Sequence, residues 1–116
     1  TDLPLRIISA EIIREKVLQK VYQEVPQGVA VIVENISQGK LDKEMLVINA
    51  KIIVERENHK PIVIGKGGQK LKSIGQLARQ ELELMTGRKV FLELFVEVKP
   101  GWKDRPEIVK NFGYSL

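Results

Sequence analysis

Along the 116 residues the spacing of apolar positions changes several times, and each change marks a new element. From residue 9 to about 25 the period is helical: Ile13, Val17 and Val21 form a stripe flanked by Ile12, Leu18 and Tyr22. Ser9 suits the N-cap, Glu11 sits where the helix dipole favours an acid, and Pro26-Gln27-Gly28 ends the run. Residues 29–37 are β-branched and mostly apolar, the composition of a strand, and 39–43 read as an exposed connection. Residues 45–57 predict a second strand. Ile48, Ala50, Ile52 and Val54 fall on one face, and Asn49, Lys51, Glu55 and Glu57 mostly on the other. A hairpin is the simplest way to join the two strands.

Residues 59–64 are too short and too proline-marked for a central strand; Pro61 suits the first turn of a short helix ending at Gly65. From Gly68 to Met85, Leu71, Ile74, Ala78, Leu82 and Met85 recur at helical spacing, and Gly87 is a natural stop. Residues 90–99 predict a third strand, with Val90, Leu92, Leu94, Val96 and Val98 on one face and Phe91, Glu93, Phe95 and Glu97 on the other. Pro100-Gly101 breaks it, and a short closing helix is expected over 104–112. Strands with one apolar face and helices with one apolar stripe predict an α+β two-layer sandwich, a three-stranded sheet with its helices on one face. No repeat, low-complexity tract or linker interrupts the chain, so one domain is expected over 1–116, with a C-terminal extension from about 100.

Composition narrows the chemistry by exclusion. Hydrophobic content of 43% and charged content of 29% are ordinary for a globular protein. The absence of Cys removes disulfides, thiolate metal sites and cysteine nucleophiles, and the single histidine, His59, argues against a histidine metal site or catalytic triad. The carboxylates have no such partner, so neither a catalytic site nor a metal or cofactor is expected. No apolar run approaches the ~20 residues that span a bilayer, and no signal peptide is present, which makes the cytoplasm the expected location. The chain begins at Thr1 without an initiator methionine, so a fragment of a longer protein is expected. A net charge of +4 and a pI near 9.4 permit nucleic-acid binding without requiring it.

The distribution of that charge is more telling. Between Asn58 and Gln80 there is no acid, while Lys60, Lys66, Lys70, Lys72 and Arg79 all lie there. Within this stretch Gly65, Gly67 and Gly68 fall inside four residues; glycine weakens helices, so the cluster needs a backbone reason, such as close approach of a sugar-phosphate chain. The helix that follows adds free N–H groups and a dipole that favour anions. Lys66 at the tip is placed to reach a phosphate. Lys70 and Lys72, two residues apart, cannot share one helix azimuth; Lys70 is expected to face the ligand, and Lys72 is either solvated or on a neighbouring phosphate.

Single-stranded RNA is read by splaying its bases on an apolar floor. Ile62, Val63, Ile64, Leu71 and Ile74 read equally well as core, but Ile64 and Ile74 are expected to be partly exposed, with Ile52 or Val54 of the second strand opposite. Gly75, in mid-helix, costs about 1 kcal/mol against Ala, which points to close approach by a base or by another element. Arg79 is either a solvated helix residue or a contact through its planar fork. Phe91 and Phe95 can stack bases, yet in a chain with 5% aromatics they are expected to pack under the first or last helix. Trp102 is expected to anchor the C-terminal segment in the core, and His59 to start the short helix.

This order of elements, with Gly65-Lys66-Gly67-Gly68 between two helices, resembles the KH domain in its type II arrangement (α-β-β-α-α-β), whose GxxG turn clamps about four nucleotides. The stretches 9–14 and 61–75, Ala78-Arg79, Leu92-Glu93-Leu94, Gly101-Trp102 and Asn111-Phe112-Gly113-Tyr114 are similar to the C-terminal KH domain of the Era family of bacterial GTPases. The resemblance implies a module that binds the 3′ end of small-subunit ribosomal RNA during assembly of the small ribosomal subunit, coupled to an N-terminal GTPase domain. It also favours a base as the neighbour of Gly75. The chain departs from that family's full pattern, because no Gly-x-x-x-x-Gly-Lys-Ser/Thr occurs; Lys70 stands where the second glycine after Gly65 belongs. GTP hydrolysis by this chain is therefore not expected. A second function class stays open, in which the basic surface docks on a GTPase domain or a ribosomal partner. Peripheral contact with an anionic membrane is a further possibility for a basic patch, but no strongly apolar, basic amphipathic helix supports it.

Overall fold

The computed structural model describes residues 2–21, 23–25 and 28–105. Helix α1 (Asp2–Val21) is followed by strands β1 (Val29–Gln38) and β2 (Leu46–Val54), helix α2 (His59–Ile64), a 3₁₀ turn (Lys66–Gly68), helix α3 (Gln69–Thr86) and strand β3 (Val90–Val98). A last 3₁₀ turn (Trp102–Asp104) closes the described chain. The element order is the expected one. The closing helix expected over 104–112, apart from its first two residues, and the motif at 111–114 lie outside the described residues.

Two helix bounds differ from expectation. α1 begins at Asp2, which puts Ser9 inside the helix and fully buried instead of at its cap. Pro4 is accommodated in the first turn, where its missing N–H costs nothing, since the first four N–H groups have no helical acceptor. At the other end α1 stops at Val21, where the Glu24 and Val25 N–H groups fold back onto the Val21 carbonyl at 2.9 and 2.8 Å. β2 also ends early, at Val54, and residues 55–58 turn into α2.

The sheet order is β1-β2-β3. β1 and β2 form the expected antiparallel hairpin, from Val29 opposite Val54 to Gln38 opposite Leu46, with a bulge at Val33/Asn35. β3 runs parallel to β2, from Leu46 beside Val90 to Val54 beside Val98. A parallel neighbour needs a long crossover, and α2, the glycine turn and α3 supply it. β2 is thus central and β3 lies at an edge.

One core fills the space between sheet and helices. It joins Val17 and Val21 of α1, Ile48, Ile52 and Val54 of β2, and Ile74, Ala78 and Leu82 of α3, all fully buried. Two arginines of α1 tie it to β1: Arg6 donates to the Val33 carbonyl, and Arg14 Nε to the Val29 carbonyl at 2.9 Å. On the opposite sheet face Trp102, 6% exposed, packs with Ala30, Ile53 and Ile32, as its expected anchoring role requires. Phe91 and Phe95 do not pack under a helix. They stand 50% and 54% exposed, because the edge strand turns their side toward the uncovered sheet face. No helix among the described residues is long and apolar enough to cross a membrane.

Candidate nucleic-acid interface

α2 ends where Gly65 takes φ +78° and ψ 171°, its N–H bonding back to the Pro61 carbonyl at 2.8 Å. A Cβ there would stand 2.6 Å from Lys70 Cβ and 2.9 Å from the Lys70 backbone nitrogen, so Gly65 is required by crowding as well as by conformation. Gly67 and Gly68 also have positive φ, 62° and 78°, yet a Cβ on either would meet nothing within 4 Å. The turn is therefore packed hard beneath and open above. Its N–H groups are partly committed: Gly68 donates to the Gly65 carbonyl at 3.1 Å, and Gln69 to that of Lys66.

From this turn α3 departs alongside β3, and a groove of about 460 Å³ runs between them. That is within the ~300–1,000 Å³ usual for small-ligand sites. α3 contributes Gly68, Leu71, Lys72, Gly75, Gln76 and Arg79, and β3 contributes Val90, Phe91, Leu92 and Leu94. The α3 residues recur at intervals of three and four, which is one helix face. Ile74, Ala78 and Leu82 occupy the opposite, buried face.

Several residues singled out in the sequence thus meet here: Gly68, Leu71, Lys72, Gly75 and Arg79 line the groove, and Gly65, Lys66 and Gly67 form the adjoining turn. Lys70 is half-buried against Gly65 and does not line the groove, whereas Lys72, expected either in solvent or on a neighbouring phosphate, does. Ile74, Ile52 and Val54 are corrected outright. Each is 0% exposed within the core, because β3 intervenes between β2 and the groove and because Ile74 points to the inner face of α3. Ile64 is half-buried and is not among the lining residues. The apolar floor comes instead from Leu71, Leu92 and Leu94, with Phe91 beside them.

Gly75 is not forced by protein packing: its added Cβ would meet only Leu94 Cδ1, at an ordinary 3.7 Å. Space, not crowding, surrounds it.

Charge at the two ends of the groove is handled differently. Lys66, Lys70 and Lys72 form no ion pair among the described residues. Arg79 Nη1 lies 3.2 Å from Glu83 Oε1, one turn further along α3. Glu83 Oε2 also accepts the Val90 N–H at 2.9 Å. That N–H chiefly, with the Arg79 guanidinium adding to it, holds the Glu83 carboxyl below its usual range against the opposing effect of partial burial. Sequence reasoning missed Glu83, Gln76 and the β3 floor. The spacing signal existed, since Gln76 and Glu83 continue the 68-72-75-79 stripe.

Among known proteins, a family model described as the KH domain matches residues 24–103. The GTPase Era of Aquifex aeolicus is 57% identical over 116 residues, and that of Caldanaerobacter subterraneus subsp. tengcongensis 51%. Both alignments cover 100% of this chain but only 38% and 39% of those proteins, so the chain spans about two fifths of the relatives it matches. Among solved structures, a variant of Aquifex aeolicus Era bound to GDP and aluminium fluoride superposes with a TM-score of 0.94 at 57% identity, over 100% of this chain and 38% of that one. Era in complex with MgGDPNP and nucleotides 1506–1542 of 16S ribosomal RNA matches with the same score, identity and coverage.

Proposed function

The chain belongs to the KH-domain family, in the form carried by Era proteins, and from that premise we propose that it binds single-stranded RNA along the α3–β3 groove. The backbone of the RNA passes over Gly65-Lys66-Gly67-Gly68, its phosphates meet Lys66, Lys70 and Lys72, and its bases lie on Leu71, Gly75, Leu92 and Leu94 with Arg79 at the rim. The ligand is the 3′ end of small-subunit ribosomal RNA, consistent with the 16S fragment held by the solved Era complex. Residues 1–116 act as one RNA-binding unit with an extension from about 100, in the cytoplasm, as part of an Era-like GTPase engaged in assembly of the small ribosomal subunit. Catalysis belongs to the parent protein's other portion.

The observation that carries this reading is the pairing of unpaired lysines with an outward-open glycine turn at the mouth of an apolar groove. Phosphate neutralisation makes binding salt-dependent, with a log–log slope near −0.7 per contact on single strands, so three lysines predict about −2. The test is titration of a fluorescent RNA carrying the small-subunit 3′-terminal sequence, beside a scrambled RNA and the matching DNA. Preferential, salt-sensitive binding to the first supports the reading. Equal weak binding to all three would reduce it to a generic backbone clamp, and no binding at low salt would shift it to a docking module.

A further inference from the structure

The groove-facing stripe of α3 ends in a pair of opposite charge, Arg79 and Glu83, and the acid of that pair has two tasks. Its Oε1 and Oε2 stand 3.2 and 3.3 Å from Arg79 Nη1, and Oε2 also takes the N–H of Val90, the first residue of β3, at 2.9 Å. One carboxylate therefore fixes the end of the groove, helix to strand, and holds a guanidinium on its wall. Arg79 spends only Nη1 in this way; Nε and Nη2 have no partner among the described residues.

We propose that Glu83 is a positioning residue for recognition: it converts Arg79 from a phosphate-neutralising cation into an oriented fork that reads base edges. The inference rests on the RNA-binding reading above. Two physical differences from the lysines support it. First, a guanidinium already paired with a carboxylate offers little net charge to a phosphate, whereas Lys66 and Lys72 are unpaired and keep theirs. Second, the Arg fork is planar and here pre-held, so less freedom is lost when its remaining donors meet acceptors in a fixed plane. Such planar, paired acceptors occur on base edges. The groove thus divides its labour, with lysines giving salt-dependent affinity and the Arg79–Glu83 pair giving discrimination.

A purely structural Glu83 would tie α3 to β3 and nothing more, and the two roles separate experimentally. In Glu83→Gln the amide oxygen can still accept the Val90 N–H, so the strand anchor survives while the charge is lost. Affinities of the full chain, Lys66→Ala, Arg79→Met and Glu83→Gln are measured across a salt series for RNA with the small-subunit 3′-terminal sequence and for its scrambled counterpart, with thermal melts confirming folding. Lys66→Ala is expected to flatten the slope by about 0.7 on both RNAs alike. Arg79→Met is expected to leave the slope unchanged and to cut the native-over-scrambled preference about tenfold, the scale of one good base contact. Glu83→Gln is expected to lose the same preference while steepening the slope by up to about 0.7, as Arg79 becomes free to meet phosphate. An Arg79→Met slope that flattens like that of Lys66→Ala, or a Glu83→Gln protein with unchanged slope and preference, would overturn the proposal. Wild-type binding without sequence preference would overturn it while leaving the RNA-binding reading in place; failure of the wild type to bind either RNA would remove both.

Discussion

On the open face of the sheet Lys51 stands between Glu34 and Glu97, at 3.3 and 3.5 Å, while on the groove side Lys66 and Lys72 make no ion pair among the described residues. Glu34 chiefly, through a hydrogen bond, and then the charge of Glu97, push the Lys51 ammonium above its usual range. Exposed pairs of this kind contribute little to stability; their main result is that two carboxylates face one ammonium and leave Lys51 no charge to spare. The aromatics follow the same division. Phe95 is more than half exposed on the open face but sits between Glu93 and Glu97, in surroundings that repel a polyanion. The groove has an apolar floor and no acid among its lining residues; Glu83, beyond its end, is committed to Arg79 and to the Val90 N–H. Cation count alone does not distinguish the two faces. Whether the cations are already satisfied does.

The widest separation between the faces should come from charge reversal. Lys66→Asp with Gly67→Asp is expected to weaken RNA binding about hundredfold or more at 0.1 M salt, since a phosphate contact is lost and like charge is added. The fold should survive, because Gly67 lies in the left-handed region that Asp tolerates and an added side chain meets nothing within 4 Å. Lys51→Met on the open face should leave RNA affinity within about twofold, its charge being already spent on Glu34 and Glu97. Comparable losses from both variants would erase the contrast.

Ile52→Ala probes the layer between the faces. As a fully buried β2 residue it should cost about 2–5 kcal/mol of stability by chemical denaturation, with the RNA affinity of the folded protein unchanged. An affinity loss without destabilisation would restore Ile52 to the interface.

Gly75→Ala acts on the groove alone and in opposite directions on two readouts. The helix should gain about 0.5–1 kcal/mol in stability. RNA affinity should fall several-fold, because the new methyl, 3.7 Å from Leu94, occupies space that the proposed binding mode gives to a base. Unaltered affinity would mean that no base reaches this point.

The smallest effect concerns acid. Because the folded-state pKa of Glu83 is lowered, the stability it contributes is fully present above its unfolded value, near ~4.3, and is lost as pH falls through the folded value. The stability difference between wild type and Glu83→Gln should accordingly be visible at neutral pH and vanish well below pH ~4. A difference that persists there would separate the effect from ionisation of the carboxylate.

Much of this was legible in the residues. Element order followed from changes of apolar period, and the glycine turn from three glycines within four residues of an acid-free, lysine-bearing stretch. Strand faces followed too, so Val90, Leu92, Leu94, Val96 and Val98 were correctly grouped. Strand order was not legible, because alternation tells which side of a strand is apolar and not which strand stands next to a helix. That gap misplaced Ile52 and Val54, which β3 screens from the groove. Ile74 failed for a related reason: within a helix, sequence proximity to Lys72 says less than the 100° rotation between neighbours, which sends Ile74 inward. Low aromatic content argues for packed Phe91 and Phe95, but an uncovered edge strand leaves them exposed. Glu83 escaped notice because an acid four residues after an arginine ordinarily marks a solvated helix face; its second bond, to a strand seven residues away, exists only in the fold.

Amide chemical-shift mapping of the isotope-labelled chain during titration with the small-subunit 3′-terminal RNA tests the central claim most directly. The account predicts that the largest changes fall on Gly65 to Gly68, Lys72, Gly75, Gln76, Leu92 and Leu94, with Asn49, Lys51 and Phe95 on the open face unmoved. Changes centred on the open face, with the glycine turn silent, would contradict it.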